Sequence, residues 1–222
     1  MHHTWEAVDH YFEAATGASD PVLSAALRAA SDAGLPPIHV SPLQGRFLTL
    51  LAQICGASSI LEVGTLAAYS TICLARGMSP TGRLTTLELD PRHAAVARNN
   101  LAAAGILDRV SLIEGPALES MRTLHARGHR VDLVFIDADK AGIPDYFDLA
   151  VRRALPGAVI VVDNVVRDGK VLDHSGQDPS VEGVRRFAAS LASDTRIAAT
   201  TLQTVGVKGY DGFAIALVPR SQ

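Results

Sequence analysis

From residue 58 onward, short apolar runs alternate with amphipathic stretches of helical length, and few folds accommodate that alternation. The first five runs are almost continuously hydrophobic, and the stretches between them carry capping signals such as Asp90-Pro91 and Gly105. Apolar strands that are separated by helices form a parallel sheet covered on both faces. The seven predicted strands lie at residues 60–63, 84–88, 110–113, 131–136, 158–162, 197–202 and 213–218.

The last two predicted strands are joined differently from the others. They are separated only by a loop that contains Gly206, Gly209 and Gly212. A loop of that size allows an antiparallel return but is too short for a helical crossover. The predicted fold class is therefore α/β, with a seven-stranded, mostly parallel sheet and helices on both of its faces.

The segment before the sheet is predicted to be helical. Asp20-Pro21 and Ser41-Pro42 each place a capping side chain before a proline, which is typical of a helix start. No repeat and no low-complexity linker divides the chain. We therefore predict one domain over residues 1–222, with N-terminal helices in 1–57 and the sheet core in 58–222.

Composition narrows the class of protein. The 222 residues are 48% hydrophobic and carry a formal net charge of −3, which allows a sizeable core and argues against nucleic acid as the main partner. Two cysteines, Cys55 and Cys73, cannot form a disulfide scaffold or a four-cysteine zinc site. No window approaches ~20 consecutive apolar residues, and the start of the sequence lacks a signal-peptide pattern. We expect no membrane partner and a cytoplasmic location.

Acidic residues end five consecutive predicted strands. Ligands of such sheets bind in the crevice at the carboxyl ends of the strands. One acid in a solvated loop means little, but five in register indicate a site. The strand ends are Glu62-Val63-Gly64, Glu88-Leu89-Asp90, Glu114-Gly115, Asp137-Ala138-Asp139-Lys140 and Asp163-Asn164.

Gly64 and Glu88 favour a ligand that contains a nucleoside. A glycine after the first strand lets a ligand approach the backbone, and the next helix offers N–H groups to an anion, with Ser70 adding a hydroxyl. Glu88 stands where an acid commonly accepts hydrogen bonds from ribose hydroxyls. The full Gly-x-Gly-x-x-Gly pattern for a diphosphate is absent. An ordinary turn at Gly64 and a surface carboxylate at Glu88 are the alternatives.

Asp137, Asp163 and Asn164 follow two neighbouring apolar strands. Neighbouring strands of a parallel sheet lie ~4.8 Å apart, so these side chains are expected to converge. Oxygen ligands without sulfur or imidazole suit Mg²⁺ or a similar hard cation. The alternative is ordinary capping of helix starts by Asp and Asn.

Lys140 stands three residues after Asp137, so a helical turn brings the two side chains together. Desolvation next to a divalent ion disfavours the charged ammonium, which makes Lys140 a candidate general base. The alternative is an ion pair with Asp137, Asp139 or Asp163.

These residues resemble the cation-dependent class I O-methyltransferases that use S-adenosylmethionine, a family that includes catechol and caffeoyl-coenzyme A O-methyltransferases. The small bacterial branch of the family is the most similar, and the resemblance covers roughly residues 36–218. The matching motifs lie at residues 41–45, 61–65, 69–71, 86–88, 115–117, 135–140, 163–167 and 209–213. The resemblance implies a Rossmann-like sheet of seven strands with an antiparallel last strand.

The resemblance also implies a role for each matching residue. Glu88 would hold the ribose of S-adenosylmethionine, and Asp137, Asp163 and Asn164 would bind Mg²⁺, Mn²⁺ or Ca²⁺. Lys140 would be the catalytic base, with Asp137 beside it. The implied cofactor-binding residues are Val40, Glu62, Gly64, Ser70, Glu88, Leu89, Ala117, Asp137 and Ala138. Ala68 departs from the family, which usually has glycine there, and its methyl group is a risk to the methionine pocket.

The predicted function is metal-dependent methyl transfer from S-adenosylmethionine to a catechol-like phenol, in a homodimer, with the loop over residues 165–179 covering the acceptor. In that loop Arg167 or Lys170 can meet a substrate carboxylate. A nicotinamide-dependent oxidoreductase is the alternative, although neither Tyr146 nor Tyr210 has a lysine four residues later. A scaffold with an inactive site is a weaker alternative, because the set of site residues is complete. An RNA methyltransferase is also weaker, because no basic patch with aromatic residues is visible.

Overall fold

A twisted seven-stranded sheet forms the centre of the structure, a computed structural model that describes residues 2–220. The strands are β1 (Ser59–Val63), β2 (Arg83–Glu88), β3 (Val110–Glu114), β4 (Val131–Ile136), β5 (Ala154–Asp163), β6 (Ala198–Gly206) and β7 (Gly209–Leu217). Their spatial order is β3-β2-β1-β4-β5-β7-β6. β7 runs antiparallel to both of its neighbours, and the other six strands share one direction. The predicted fold class is confirmed.

The β6–β7 connection differs from the prediction. Gly206 pairs with Gly209, so that only Val207 and Lys208 form the turn, and Gly206, Gly209 and Gly212 lie inside strands. The predicted glycine loop is therefore wrong. The sequence hid this extension because β6 is exposed at the edge of the sheet and continues through polar residues without an apolar pattern.

Eight α-helices surround the sheet in the described residues. They are α1 (His2–Thr16), α2 (Pro21–Asp32), α3 (Pro42–Ile54), α4 (Tyr69–Gly77), α5 (Pro91–Ala103), α6 (Ala117–Ala126), α7 (Ile143–Arg153) and α8 (Pro179–Ser193). Single 3₁₀ turns lie at Leu107–Arg109, Lys140–Gly142 and Lys170–Leu172. Within residues 2–220, no helix has both the length and the apolar character that a membrane span needs.

The two faces of the sheet bury two separate hydrophobic clusters. Along β1, Ile60 packs into the cluster that also holds residues of α2, α3, α4 and α5. The next residue, Leu61, packs into the cluster with α7 and α8 on the opposite face. This alternation follows from the period of two residues in a strand. The N-terminal helices α2 and α3 therefore share a core with the sheet.

Capping side chains begin the helices where the sequence places them. The carboxylate of Asp20 accepts hydrogen bonds from the backbone N–H groups of Val22 and Leu23, at 2.9 and 3.1 Å. The Ser41 hydroxyl accepts from Gln44 N at 3.2 Å, and Asp90 accepts from Arg92 N at 2.7 Å. Each cap satisfies a backbone donor that the first turn of a helix leaves free.

Candidate functional site

Four of the five predicted strand ends meet in one cavity of about 750 Å³ at the carboxyl edge of the sheet, and Glu114-Gly115 lies outside it. β4 lies between β1 and β5, so the segments that follow Val63, Ile136 and Val162 come together there. Every predicted site residue except Glu62 lines the cavity: Val40, Gly64, Ser70, Glu88, Leu89, Ala117, Asp137, Ala138, Lys140, Asp163 and Asn164. The sequence therefore located the site, while the roles of these residues remain predictions.

Gly64 is the point where the chain leaves β1 and passes under the cavity. Its φ angle is 98°, in the region that side chains with a Cβ rarely adopt. A Cβ at this position would overlap the backbone carbonyl oxygen of Asp137. The close approach of the segments after β1 and β4 therefore requires glycine, and it holds Asp137 at the floor of the cavity.

Glu62 lies beneath the cavity. It is fully buried, and its carboxylate accepts hydrogen bonds from the hydroxyls of Ser70, Thr71 and Thr86 at 2.6, 2.5 and 2.7 Å. Because the single hydroxyl proton of Ser70 points to Glu62, Ser70 Oγ can only accept a hydrogen bond from a ligand. Glu62 thus positions Ser70, and its predicted contact with a cofactor stays a prediction.

Burial raises the pKa of Glu62 to about 7, although the three hydroxyl donors oppose the rise. Between the ordinary pKa of a glutamate and this value, the folded state binds more protons than the unfolded state. The free energy of unfolding therefore falls as the pH rises through this window. We expect Glu62→Gln to flatten that dependence in urea unfolding measured from about pH 5 to pH 8.

A matched control for this experiment is the exposed Glu119, whose change to glutamine should leave the pH dependence as it is. Asp163 contributes a dependence of the same sign, so a smaller slope should remain in the Glu62 variant. Equal slopes in the wild type and in Glu62→Gln would show that Glu62 is ionised in the folded state throughout.

Glu88 holds the loop that follows β1. One carboxylate oxygen accepts from Thr65 N and Leu66 N at 3.2 and 2.8 Å, and the other accepts from Asp90 N at 2.9 Å. A carboxylate offers about four lone-pair sites, so capacity remains for a donor from the cavity. Glu88 is largely buried, yet it lines the cavity. The geometry suits an acceptor for ligand hydroxyls.

Asp137, Asp163 and Asn164 form the oxygen-rich end of the cavity. Asp163 Oδ2 accepts from the Gln44 amide at 2.7 Å, and Asp163 Oδ1 accepts from Asn164 N at 2.9 Å. Burial, and then the negative charge of Asp137, raise the pKa of Asp163. A bound cation would relieve both effects, so the residues present fit a hard divalent ion.

This set contains an amide in place of a third carboxylate. Among residues 2–220, no group of three or more His, Cys, Asp or Glu side chains is placed to hold a metal ion. Two carboxylates and one amide leave room for water or substrate oxygens around a cation. Such an arrangement is more typical of a site that shares its ion with a substrate than of a closed structural site.

Lys140 lies in the 3₁₀ turn after β4, with 8% of its surface exposed. Its Nζ is 2.8 Å from Asp137 Oδ1, so Asp137 is the ion-pair partner among the three considered from the sequence. Asp139 instead accepts from Gly142 N at 2.8 Å and from the Tyr146 hydroxyl at 2.5 Å. The amino group of Lys140 is thereby held beside the oxygen-rich end of the cavity.

Several residues of the site carried no role in the sequence analysis. Gln44 reaches Asp163 from α3, across 119 positions of sequence, and only its place in the motif at residues 41–45 pointed to it. His39 lines the cavity, and burial, followed by the charge of Lys208, lowers the pKa of His39 to about 4. Lys208 lines the cavity from the β6–β7 turn. It is one of only three lysines in the chain, which is the signal that singles it out.

Ala68 is fully buried and does not line the cavity. Its φ angle is 66°, a left-handed conformation that explains why glycine is favourable here. The methyl group therefore does not border the cavity, and its effect on cofactor binding stays a prediction.

Comparison with known proteins gives a consistent assignment. A family model described as O-methyltransferase matches residues 14–217. A catechol O-methyltransferase of Niastella koreensis is 51% identical over 215 residues, which cover 96% of this chain and 97% of the relative. A catechol O-methyltransferase of Mycobacterium tuberculosis is 50% identical over 211 residues, or 95% of this chain and 94% of the relative.

A solved structure supports the same assignment. The O-methyltransferase from Bacillus cereus, in complex with SAH, superposes with a TM-score of 0.96 and 48% sequence identity. The match covers 98% of this chain and 100% of the other. Fold and sequence therefore agree over nearly the whole chain.

Proposed function

The chain belongs to the O-methyltransferase family, and from that membership we propose that it transfers a methyl group from S-adenosylmethionine to a hydroxyl of a catechol-like small molecule, with a divalent cation. One observation carries the proposal. Asp137, Asp163 and Asn164 lie beside Lys140 in the same cavity as Glu88. An oxygen-rich cation site, a base and a nucleoside site are the parts that such a reaction needs.

The part of the cavity around Glu88 would take the cofactor. SAH, which the Bacillus cereus relative binds, is what remains of S-adenosylmethionine after methyl transfer. Glu88 accepts the ribose hydroxyls, and the backbone of Gly64 and Val40 with Ser70 Oγ meets the methionine end. The residues that border the nucleoside are Leu89, Ala117 and Ala138.

Replacement of Glu88 by alanine is expected to weaken SAH binding by about tenfold or more, because it removes charge-assisted hydrogen bonds to the ribose and the anchor of the loop at Thr65. Isothermal titration calorimetry measures the effect. Glu114 is the matched control, since it pairs with Glu88 in the β2–β3 register but is exposed and lies outside the cavity. Equal affinities in Glu88→Ala and Glu114→Ala would contradict the role of Glu88.

The oxygen-rich end would hold Mg²⁺, Mn²⁺ or Ca²⁺ through Asp137, Asp163 and Asn164. When bound, such an ion acts as a Lewis acid toward the acceptor oxygens, and the cofactor supplies a methyl group activated by its sulfonium. Gln44 keeps Asp163 turned toward the cavity through its 2.7 Å hydrogen bond.

Lys140 takes the proton of the acceptor hydroxyl at Nζ. Asp137, at 2.8 Å, directs this amino group into the cavity. The cavity would bring the acceptor and the cofactor together, and such positioning of two reactants supplies much of the acceleration. An assay with catechol, S-adenosylmethionine and Mg²⁺ tests the proposal. Mass spectrometry measures whether methylated catechol forms. Family membership leaves no observation in favour of the oxidoreductase alternative.

We also propose a homodimer, with a small phenolic molecule as the only other partner. α1 lies against the exposed strand β6. Both elements expose apolar side chains: Val8, Tyr11 and Phe12 on α1, and Leu202 and Val205 on β6. A second copy would cover such a surface.

Light scattering should give twice the chain mass of 23.4 kDa, and Tyr11→Asp should shift the protein toward monomer. A wild-type monomer at micromolar concentration would contradict the dimer.

A further inference from the structure

Two cationic side chains line the cavity without a carboxylate partner. Lys208 donates from Nζ to the carbonyl oxygen of Pro37 at 2.9 Å and forms no ion pair with any residue in 2–220. Arg167 forms neither an ion pair nor a side-chain hydrogen bond with the described residues, and its Nε is buried without a partner. Lys208 is exposed and Arg167 is half-buried, and neither has a counter-charge at ion-pair distance among the described residues, so an anion that reached both would be bound favourably.

Backbone hydrogen bonds position the two segments that carry these cations. Asp211 of β7 accepts from Val166 N at 2.9 Å and from Arg167 N at 3.0 Å, which ties the segment after Asn164 to the hairpin. At the turn itself, Val207 N donates to Asp9 of α1 at 2.9 Å. Arg167 and Lys208 are therefore held on one side of the cavity, the side that carries Asp163 and Asn164.

The acidic side chains of the cavity are already engaged with other partners. Glu88 accepts three backbone N–H groups, and Asp139 accepts from Tyr146 and Gly142. Asp137 pairs with Lys140. Lys208 also borders a second, adjoining cavity of about 260 Å³ that it shares with Asp163 and Asn164. Burial lowers the pKa of Lys208, and the negative charge of Asp137 opposes that shift.

We propose that Lys208 and Arg167 select an acceptor that carries a carboxylate, so that the substrate is a catechol with an acidic side chain. This inference rests on the proposed function. It assigns acceptor specificity to these two residues. The carboxylate of the acceptor meets Lys208 Nζ and the guanidinium of Arg167, and the two hydroxyls of the acceptor face Asp163 and Asn164. Lys170 is excluded, because it lies outside the cavity that Arg167 and Lys208 line.

Two acceptors that differ in the carboxylate test the inference. 3,4-Dihydroxyphenylacetate carries the acid on a methylene group, which insulates the ring electronically, and 4-methylcatechol lacks the acid. In the wild type we expect kcat/KM to be about tenfold or more higher for the acid, the value of one charge-assisted contact. Lys208→Met and Arg167→Met should each raise KM for the acid by about tenfold and KM for 4-methylcatechol by less than about threefold.

Control variants separate this role from others. Lys208→Arg should keep most of the preference, since it keeps the charge, and Lys170→Met should behave as the wild type. Thermal unfolding of each variant shows whether the fold is intact. If neither acceptor is methylated in Mg²⁺, the proposed function fails. If 4-methylcatechol is methylated as well as the acid, or if Lys208→Met impairs both acceptors equally, the inference fails while the proposed function stands.

Discussion

Asp163→Ala is expected to lower kcat/KM for methyl transfer to catechol by about 1000-fold or more, which corresponds to about 4 kcal/mol of lost transition-state stabilisation. The reason is geometric. Asp163 is the buried carboxylate of the oxygen-rich end, and the Gln44 amide fixes it there. Its removal leaves Asp137 and Asn164 as the only protein ligands of the proposed cation. SAH affinity should change by less than about threefold, because Glu88 and Gly64 are untouched.

The same experiment separates loss of function from loss of folding. Burial disfavours ionised Asp163, so its replacement is not expected to unfold the protein, and the thermal midpoint reports this directly. Asp168→Asn is the control, since it changes an exposed acid close by in the chain that lies outside the cavity. EDTA should reproduce the loss in the wild type. Full turnover of Asp163→Ala, or of the wild type in EDTA, would exclude a metal role.

Lys140→Met should lower kcat by about 100-fold to 10 000-fold, the range that loss of a general base typically costs. Methionine fills the largely buried site of the lysine side chain without its amino group. The cofactor lies on the Glu88 side of the cavity, so its affinity should change by less than about threefold. Lys170→Met is the matched control, because Lys170 is exposed and does not line the cavity. If Lys140→Met kept its turnover, Lys140 would only pair with Asp137, which was the alternative considered from the sequence.

The sequence predicted most of the sheet because its buried strands have a strong pattern. β1, β2 and β4 were located to within a residue, since they are buried along nearly their whole length. The site followed from the same pattern, because parallel strands bring their carboxyl ends to one edge. The N-terminus of β5 and the length of β6 were missed, because Leu155-Pro156 and the exposed edge residues carry no such signal.

Tertiary contacts account for the rest of what was missed. Nothing local in the sequence shows that Gln44 meets Asp163, or that Asp9 holds the turn before Lys208. Glu62 shows a related limit. Its place at the end of β1 predicted a cofactor contact, which stays a prediction, but nothing local in the sequence showed that Ser70 and Thr71 donate to its carboxylate. Which side of a strand end faces the ligand depends on packing around it.

The hairpin that carries Lys208 lies far in sequence from Gly64, Glu88 and Ala138. It is tied to Asp9 of α1 through Val207, the neighbour of Lys208. Under the proposed function, substitutions around the contact between α1 and this hairpin would alter the choice of acceptor while Gly64 and Glu88 stay unchanged.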